Sequence, residues 1–232
     1  MNENEVKVNG ILVKDFILVE LGTAAATKEL FALYASICEI ESNFKVDARR
    51  YERGLDKPSV NDKDNPYKDD KLNEDDASYG LFQLLYTTAV DIGFKGNQKD
   101  LFDYKNNIKY GIKYINICKK YADKYINKYG IKLDYKKVSE NFYPTIIVYN
   151  EGMGNFKKLA KLLSGKVIDG DVLKNNISKI TGKASKYTIA YMNKFDKLYN
   201  EYYAMSKYYF NKTHKVPIID LIINLLKQIF NK

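Results

Sequence analysis

The sequence predicts a mostly α-helical protein with one main domain, a long acidic loop and an extra C-terminal helix. Hydrophobic residues make up 45% of the 232-residue chain, which is enough for the core of one sizeable domain. Apolar residues recur at three- and four-residue spacing in several segments, as they do on the buried face of a helix. Convincing strand alternation is absent.

We divide the chain into three parts. Residues 1–26 form an N-terminal segment that packs on the core, with a helix over 11–21. Residues 27–210 form the main domain, and residues 211–232 form a C-terminal amphipathic helix. Within the main domain, residues 54–78 are polar and acidic, which predicts a long loop, and such loops are usually functional or mobile.

The helix that begins after Thr27 carries the most informative pattern in the chain. Thr27 can cap its first turn. Its apolar stripe comprises Leu30, Leu33, Tyr34 and Ile37. One further turn places Glu41 on that stripe, whereas Glu39 points about 200° away, towards the polar side. One helix therefore carries two carboxylates in opposite environments.

The predicted position of Glu41 suits a general acid. Burial and the negative end of the helix dipole both disfavour the ionised carboxylate, and a carboxyl that holds its proton can protonate a leaving group. A purely structural alternative stays open. Glu41 can be a buried partner of one of the three arginines that follow it, Arg49, Arg50 and Arg53.

The remaining elements follow from periodicity and breakers. A helix begins at 87–90, and another carries the stripe that follows Asn107, in which Gly111 implies close packing because glycine costs about 1 kcal/mol relative to alanine. Pro144 starts a helix that a turn at 151–155 interrupts. A short helix over 157–164 ends at Gly165, and a long aromatic-faced helix covers 187–202.

Charge and composition narrow the classes of partner. The net charge of +9 favours a polyanion, but the lysines are scattered and no nucleic-acid motif is present, so we expect no nucleic-acid partner. The single histidine, His214, makes a histidine triad or zinc site untenable. Cys38 and Cys118 lack metal-ligand spacing, although a disulfide between them stays open. We expect no metal and no cofactor.

Both ends of the chain bear on its setting. The polar, acidic N-terminus does not resemble a secretory signal, and no apolar run reaches the roughly 20 residues that span a bilayer. The apolar helix over 217–230, which Pro217 begins, should dock on its own domain. Docking to a membrane surface or a particle is its alternative role. A monomer is expected.

Four separated motifs, taken together, resemble the soluble-lytic-transglycosylase-like branch of the lysozyme superfamily. They are Glu41-Ser42, Tyr79-Gly-Leu-Phe82-Gln83, Tyr149-Asn150-Glu-Gly152 and the late Tyr191, and Asn107-Ile108 with Gly111 adds a fifth match. The resemblance covers about residues 28–200 and implies a lysozyme-like catalytic domain over 27–210, of the goose-type lysozyme and lytic transglycosylase kind. The long acidic loop is most similar to phage-borne members. Phe82 replaces the usual methionine, and Tyr187 stands where some members carry a second carboxylate.

The resemblance implies cleavage of the MurNAc–GlcNAc bond of peptidoglycan. Glu41 would protonate the leaving oxygen and then deprotonate the sugar's own 6-hydroxyl, which gives a 1,6-anhydro product with one acid instead of the usual pair. The implied substrate-contacting residues are Ser42, Tyr79, Phe82, Gln83, Tyr149, Asn150 and Tyr191.

Two alternatives to this function stay open. One is a lysozyme-type hydrolase of the same fold, in which Asp75 or Asp76 positions water. The other is an idle wall-binding or virion module, which would gain nothing from a costly buried acid. With no signal peptide predicted, we expect a phage lysin or a virion-associated enzyme that acts on the wall outside the cytoplasm.

Overall fold

The computed structural model describes residues 7–8, 11–51 and 77–213. The helices are α1 Val13–Ala24, α2 Lys28–Ser42, α3 Tyr86–Asp91, α4 Tyr104–Lys128, α5 Tyr143–Leu162, α6 Gly170–Thr181 and α7 Ser185–Thr213. The strands are β1 Lys7–Val8, β2 Ile11–Leu12, β3 Arg49–Tyr51, β4 Ala77–Tyr79, β5 Leu84–Leu85, β6 Lys132–Leu133 and β7 Val167–Ile168. The mostly α fold class is therefore confirmed.

Several predictions fall outside the described residues. They concern Asp75, Asp76, His214, most of the loop over 54–78 and the C-terminal helix over 217–230. In the part of the chain that is described, no helix combines the length and the apolar character that crossing a membrane requires.

The chain divides into two compact units that interleave along the sequence. The first comprises the described parts of 1–25, 37–113 and 209–232, and the second comprises 26–36 and 114–208. Helices α2, α4 and α7 each contribute residues to both.

Helix α1 is the core helix of the N-terminal segment in the first unit. The helix expected over 11–21 is confirmed from Val13 onwards, while Ile11–Leu12 pairs with Lys7–Val8 as a small antiparallel ribbon. Gly22 lies against the last turns of α7, because a Cβ there would stand 2.8 Å from the carbonyl oxygen of Tyr209. The Tyr209 hydroxyl donates to the Asp15 carboxylate at 3.0 Å. The start and end of the described chain are thus joined in one unit.

Helix α2 begins and ends as its sequence dictates. The Thr27 hydroxyl accepts a hydrogen bond from the Leu30 amide at 3.2 Å, which confirms the predicted cap. At the other end Asn43 and Phe44 adopt positive φ angles of 52° and 62°. Residues with side chains adopt this region rarely and at some cost. The reversal stops the helix at Ser42 and leaves Glu41 in its last turn.

Strands β3, β4 and β5 form a three-stranded antiparallel sheet in the first unit. Arg49 pairs with Tyr79, and Ser78 pairs with Leu85. These strands are two or three residues long, too short to give an alternating pattern in the sequence. The sheet brings the segment that follows α2 beside the turn that begins at Tyr79.

Helix α5, in the second unit, carries the predicted interruption. Pro144 lies in its first turn, as expected. The break is confined to Gly152, whose φ of 81° and ψ of 163° are not helical. The helix resumes at once and runs to Leu162, so the second helical segment begins earlier than the expected 157. Gly165 follows with a φ of 72°.

Helix α6 and residues 185–208 of α7 complete the second unit. No helix was predicted over α6, although Asp169 caps it through the Val172 amide at 2.9 Å. The aromatic face of α7 is confirmed by the buried rings of Phe195, Tyr199 and Tyr202. Tyr187 is not part of that face, since it is 68% exposed.

The two cysteines, Cys38 and Cys118, are buried free thiols. The disulfide that the sequence left open is therefore not formed in this structure.

Candidate active site

Glu41 is the least exposed of the two carboxylates on α2. Its side chain is 7% exposed, and its Oε2 lies 3.8 Å from a guanidinium nitrogen of Arg50, whose side chain is 58% exposed. Glu39, two residues earlier, is 20% exposed and pairs with the Lys14 ammonium at 3.1 Å. Both residues are partly buried and each carboxylate lies near a cation, so their environments differ in degree and are not the opposites that the helical periodicity predicts. The arginine partner considered for Glu41 is also present.

Opposing influences act on the Glu41 carboxyl. Burial disfavours its charged form, whereas the nearby Arg50 cation favours it. The charge of Glu41 is felt one turn back in the helix, since it adds to burial in raising the pKa of the Cys38 thiol well above its ordinary value. Cys38 is therefore a neutral neighbour.

Ser42 uses its hydroxyl proton inside the helix. Its Oγ donates to the Cys38 carbonyl oxygen at 3.0 Å, and the residue is 7% exposed. With that proton committed, the Ser42 oxygen can act only as an acceptor of a further hydrogen bond.

The Gln83 amide holds the turn that follows β4. Its Nε2 donates to the carbonyl oxygens of Ala48 at 3.0 Å and Gly80 at 2.9 Å. Its Oε1 accepts from the Ser78 hydroxyl at 3.0 Å. The residue is 9% exposed and adopts a positive φ of 43°. Gln83 therefore fastens this turn to the segment that follows the Glu41 helix.

Asn107 satisfies three backbone groups around the same turn. Its Nδ2 donates to the carbonyl oxygens of Tyr79 at 2.9 Å and Leu101 at 2.8 Å, and its Oδ1 accepts from the Phe82 amide at 2.8 Å. Asn107 is fully buried, so these bonds replace the water that the groups lose on folding. Gly80 makes room for this side chain, because a Cβ there would lie 2.3 Å from the Asn107 amide nitrogen.

Gly111, one turn further along α4, provides the space for Phe82. A Cβ at Gly111 would stand 2.4 Å from the Phe82 ring. The close packing predicted for this glycine is thereby confirmed. The Gly-Leu-Phe-Gln and Asn-Ile-x-x-Gly motifs form one interlocked structure.

Tyr79 and Phe82 lie in the protein interior. They are 2% and 0% exposed. The Tyr79 ring packs edge-on against Phe102 at 5.4 Å between centroids, and the Arg49 guanidinium lies 5.7 Å from its centre. In this arrangement both rings shape the turn from inside.

The second unit holds the other predicted site residues. Tyr149 is half-buried on α5, with its ring 5.3 Å from that of Tyr114, and Tyr191 is half-buried on α7. Asn150 is exposed, and its Oδ1 accepts a hydrogen bond from the Thr188 hydroxyl at 3.1 Å. The same hydroxyl contacts the Glu151 carboxyl.

One family model, described as the transglycosylase SLT domain, matches residues 23–167. The chain belongs to this family. Comparison with curated proteins and with solved structures gave no match. Membership confirms the resemblance that the motifs carried. It identifies the chain as a transglycosylase domain that cleaves glycosidic bonds, with the peptidoglycan of the cell wall as its substrate.

Sequence reasoning missed three polar residues that support the motifs of this SLT domain. Asn107 was noted only as part of a motif, and its three hydrogen bonds join segments far apart in the chain. Glu151 and Thr188 were not singled out as partners, because 37 residues separate them. The available signal was that Thr188 lies one turn before Tyr191, on the same helical face.

Within residues 7–8, 11–51 and 77–213, no group of three or more histidine, cysteine, aspartate or glutamate side chains is arranged to hold a metal ion.

Proposed function

We propose that this SLT domain is a lytic transglycosylase that cleaves the MurNAc–GlcNAc bond of peptidoglycan, with Glu41 as its single acid and base. The observation that carries the proposal is the Glu41 carboxylate, 7% exposed in the last turn of α2 and 3.8 Å from Arg50. Burying a carboxylate costs free energy of desolvation, and carboxylates buried in this way are concentrated at functional sites.

The reaction balances with one carboxyl. Protonated Glu41 gives its proton to the glycosidic oxygen, the bond from C1 of MurNAc to that oxygen breaks, and GlcNAc leaves with a new hydroxyl. Ionised Glu41 then accepts the proton of the MurNAc 6-hydroxyl, whose oxygen forms the new bond to C1. Glu41 ends in its starting state, and no water is consumed.

The other predicted residues divide into two roles in this proposal. Ser42, Tyr149, Asn150 and Tyr191 contact the glycan. Tyr79, Phe82 and Gln83 act from inside the turn after β4, where their burial and internal hydrogen bonds support a role in shaping the substrate-binding surface.

The proposal is tested by replacing each carboxylate on α2 with its amide. Glu41→Gln should lower the rate of peptidoglycan solubilisation by about three orders of magnitude, because general acid–base catalysis contributes about 10²–10⁴-fold and one group supplies both steps. Glu39→Gln, the matched control on the same helix, should retain nearly full activity. Both variants should melt close to wild type. A Glu41→Gln protein that keeps more than about a tenth of the activity removes Glu41 from the mechanism.

Product analysis separates the transglycosylase from the hydrolase. Mass spectrometry of the released muropeptides should show MurNAc ends lighter by one water than hydrolysed ends. Hydrolysed ends instead would make the enzyme a muramidase, and Asp75→Asn and Asp76→Asn would then be expected to inactivate it. Wall binding without any cleavage would mean an idle binding module.

The biological setting stays a prediction from the sequence. We propose a phage lysin or a virion-associated enzyme, with the helix over 217–230 docked on its own domain. Deleting residues 216–232 should then lower the melting temperature and the solubility. A truncated protein that is equally stable but no longer binds anionic vesicles would show a membrane-surface role instead.

A further inference from the structure

Three polar side chains meet where α5 breaks in the second unit. Asn150 and Glu151 end the first helical segment, immediately before Gly152, whose backbone leaves the helix. Thr188 lies on α7 and is fully buried, Glu151 is half-buried, and Asn150 is exposed. The Thr188 hydroxyl joins the other two, since it donates to Asn150 Oδ1 at 3.1 Å and contacts Glu151 Oε1.

The hydrogen bond between Thr188 and Asn150 is the part of this cluster that has ordinary geometry. A threonine hydroxyl has one proton to donate, and here it lies 3.1 Å from the Asn150 carbonyl oxygen. Because Thr188 is fully buried on α7, its hydroxyl is a fixed anchor for the exposed Asn150 amide.

We propose that Thr188 is a positioning residue that fixes the Asn150 amide with its Nδ2 hydrogens turned outward, ready for an acceptor oxygen of the glycan. This inference rests on the proposed function, in which Asn150 contacts the substrate. An exposed amide without such partners rotates freely and presents either its donor or its acceptor side. Because Thr188 holds Oδ1, the Asn150 side chain loses its conformational entropy on folding and not on substrate binding, which strengthens binding.

The test is a double-mutant cycle on soluble, uncrosslinked glycan strands. Thr188→Val keeps the side-chain shape and removes the hydroxyl, and it should raise KM about fivefold, the worth of one ordinary hydrogen bond, with kcat within about twofold. Thr188→Ser restores the hydroxyl and should restore KM. Thr181→Val is the matched control, because it removes another hydroxyl of this unit, bonded only to its own helix at the Ile177 carbonyl oxygen.

The cycle asks whether Thr188 acts through Asn150. Asn150→Ala should raise KM at least as much as Thr188→Val, and adding Thr188→Val to it should change KM no further. If the two effects multiply in the double variant, or if Thr188→Ser is as poor as Thr188→Val, the positioning role is overturned. An Asn150→Ala variant with wild-type KM also overturns it, yet leaves the chemistry of Glu41 intact. A failure of the proposed function would be recognised separately, because the Glu41→Gln variant would then remain active.

A second variant keeps the proposal testable where Thr188→Val fails to fold. Thr188→Ala also removes the hydroxyl and should raise KM about fivefold. A folded Thr188→Ala protein with wild-type KM would overturn the positioning role.

Discussion

Asn107 is the residue on which the turn over 79–83 most depends, and replacing it with alanine measures this dependence. The substitution removes three hydrogen bonds of 2.8–2.9 Å from a fully buried position. Each is worth about 1 kcal/mol net, so the loss is about 3 kcal/mol. The higher helix propensity of alanine offsets about 0.5 kcal/mol of this loss. We expect the free energy of unfolding to fall by about 2.5 kcal/mol.

The neighbouring Asn106 is a matched control for this experiment. It lies in the same turn of α4 and gains the same helix propensity on substitution. Its side chain makes one described donor bond, from Nδ2 to the Asp100 carbonyl oxygen at 3.1 Å, in a half-buried position. Asn106→Ala should therefore cost about 0.5 kcal/mol. The two variants differ by about 2 kcal/mol although they make the same chemical change.

Urea unfolding followed by circular dichroism or tyrosine fluorescence provides the assay, since the chain has 21 tyrosines and no tryptophan. In thermal melts a loss of about 2.5 kcal/mol corresponds to a shift of about 5–10 °C for a chain of this size. Equal losses from Asn106→Ala and Asn107→Ala would refute the reasoning, because they would show that the buried bonds contribute no more than the peripheral one. An Asn107→Ala protein of wild-type stability would refute it as well.

Two further predictions test packing and charge. Gly111→Ala should lower the free energy of unfolding by about 1–2 kcal/mol, because overpacking against the Phe82 ring outweighs the gain in helix propensity. Gly154→Ala is the control, since a Cβ there meets nothing within 4 Å, and it should be neutral or stabilising. Denaturant unfolding measures both variants. Asp169 has its pKa lowered from the ordinary 3.8 by the Val172 amide and then by Lys136. A carboxyl with a lowered pKa stabilises the fold above its unfolded pKa of about 3.9, and this stability is lost as the pH falls through the lower folded value. The wild type should therefore melt above Asp169→Asn near neutral pH, and the difference between the two melting temperatures should shrink as the pH falls below about 4.

The elements whose patterns are local could be predicted from the sequence. The stripe of α2, its Thr27 cap and the position of Glu41 all follow from helical geometry within one segment. Gly111 was also predictable in kind, because a glycine inside a strong helical stripe costs stability unless something packs against it. The sequence could not say that this partner is Phe82, which lies in a separate motif.

The parts that were missed depend on long-range pairing or on very short elements. Helix α6 carried a readable signal, the Asp169 cap followed by Leu173 and Ile177 at helical spacing, and it was overlooked. The inward-facing amide of Gln83 could not be foreseen, because a glutamine in a turn is compatible with either solvent or backbone partners. Its role depends on Ala48, 35 residues away.

The interlock of Gly111, Asn107 and the turn over 79–83 has a consequence for inheritance and for engineering. The bulk at Phe82 is accommodated only by the missing side chain at Gly111, and the shape of the turn is imposed by an amide that α4 supplies. We therefore expect that neither motif can be exchanged between homologues by itself. A chimera that receives the turn over 79–83 without residues 107 and 111 should carry the sequence of the turn but not its conformation. The two segments should therefore be exchanged together.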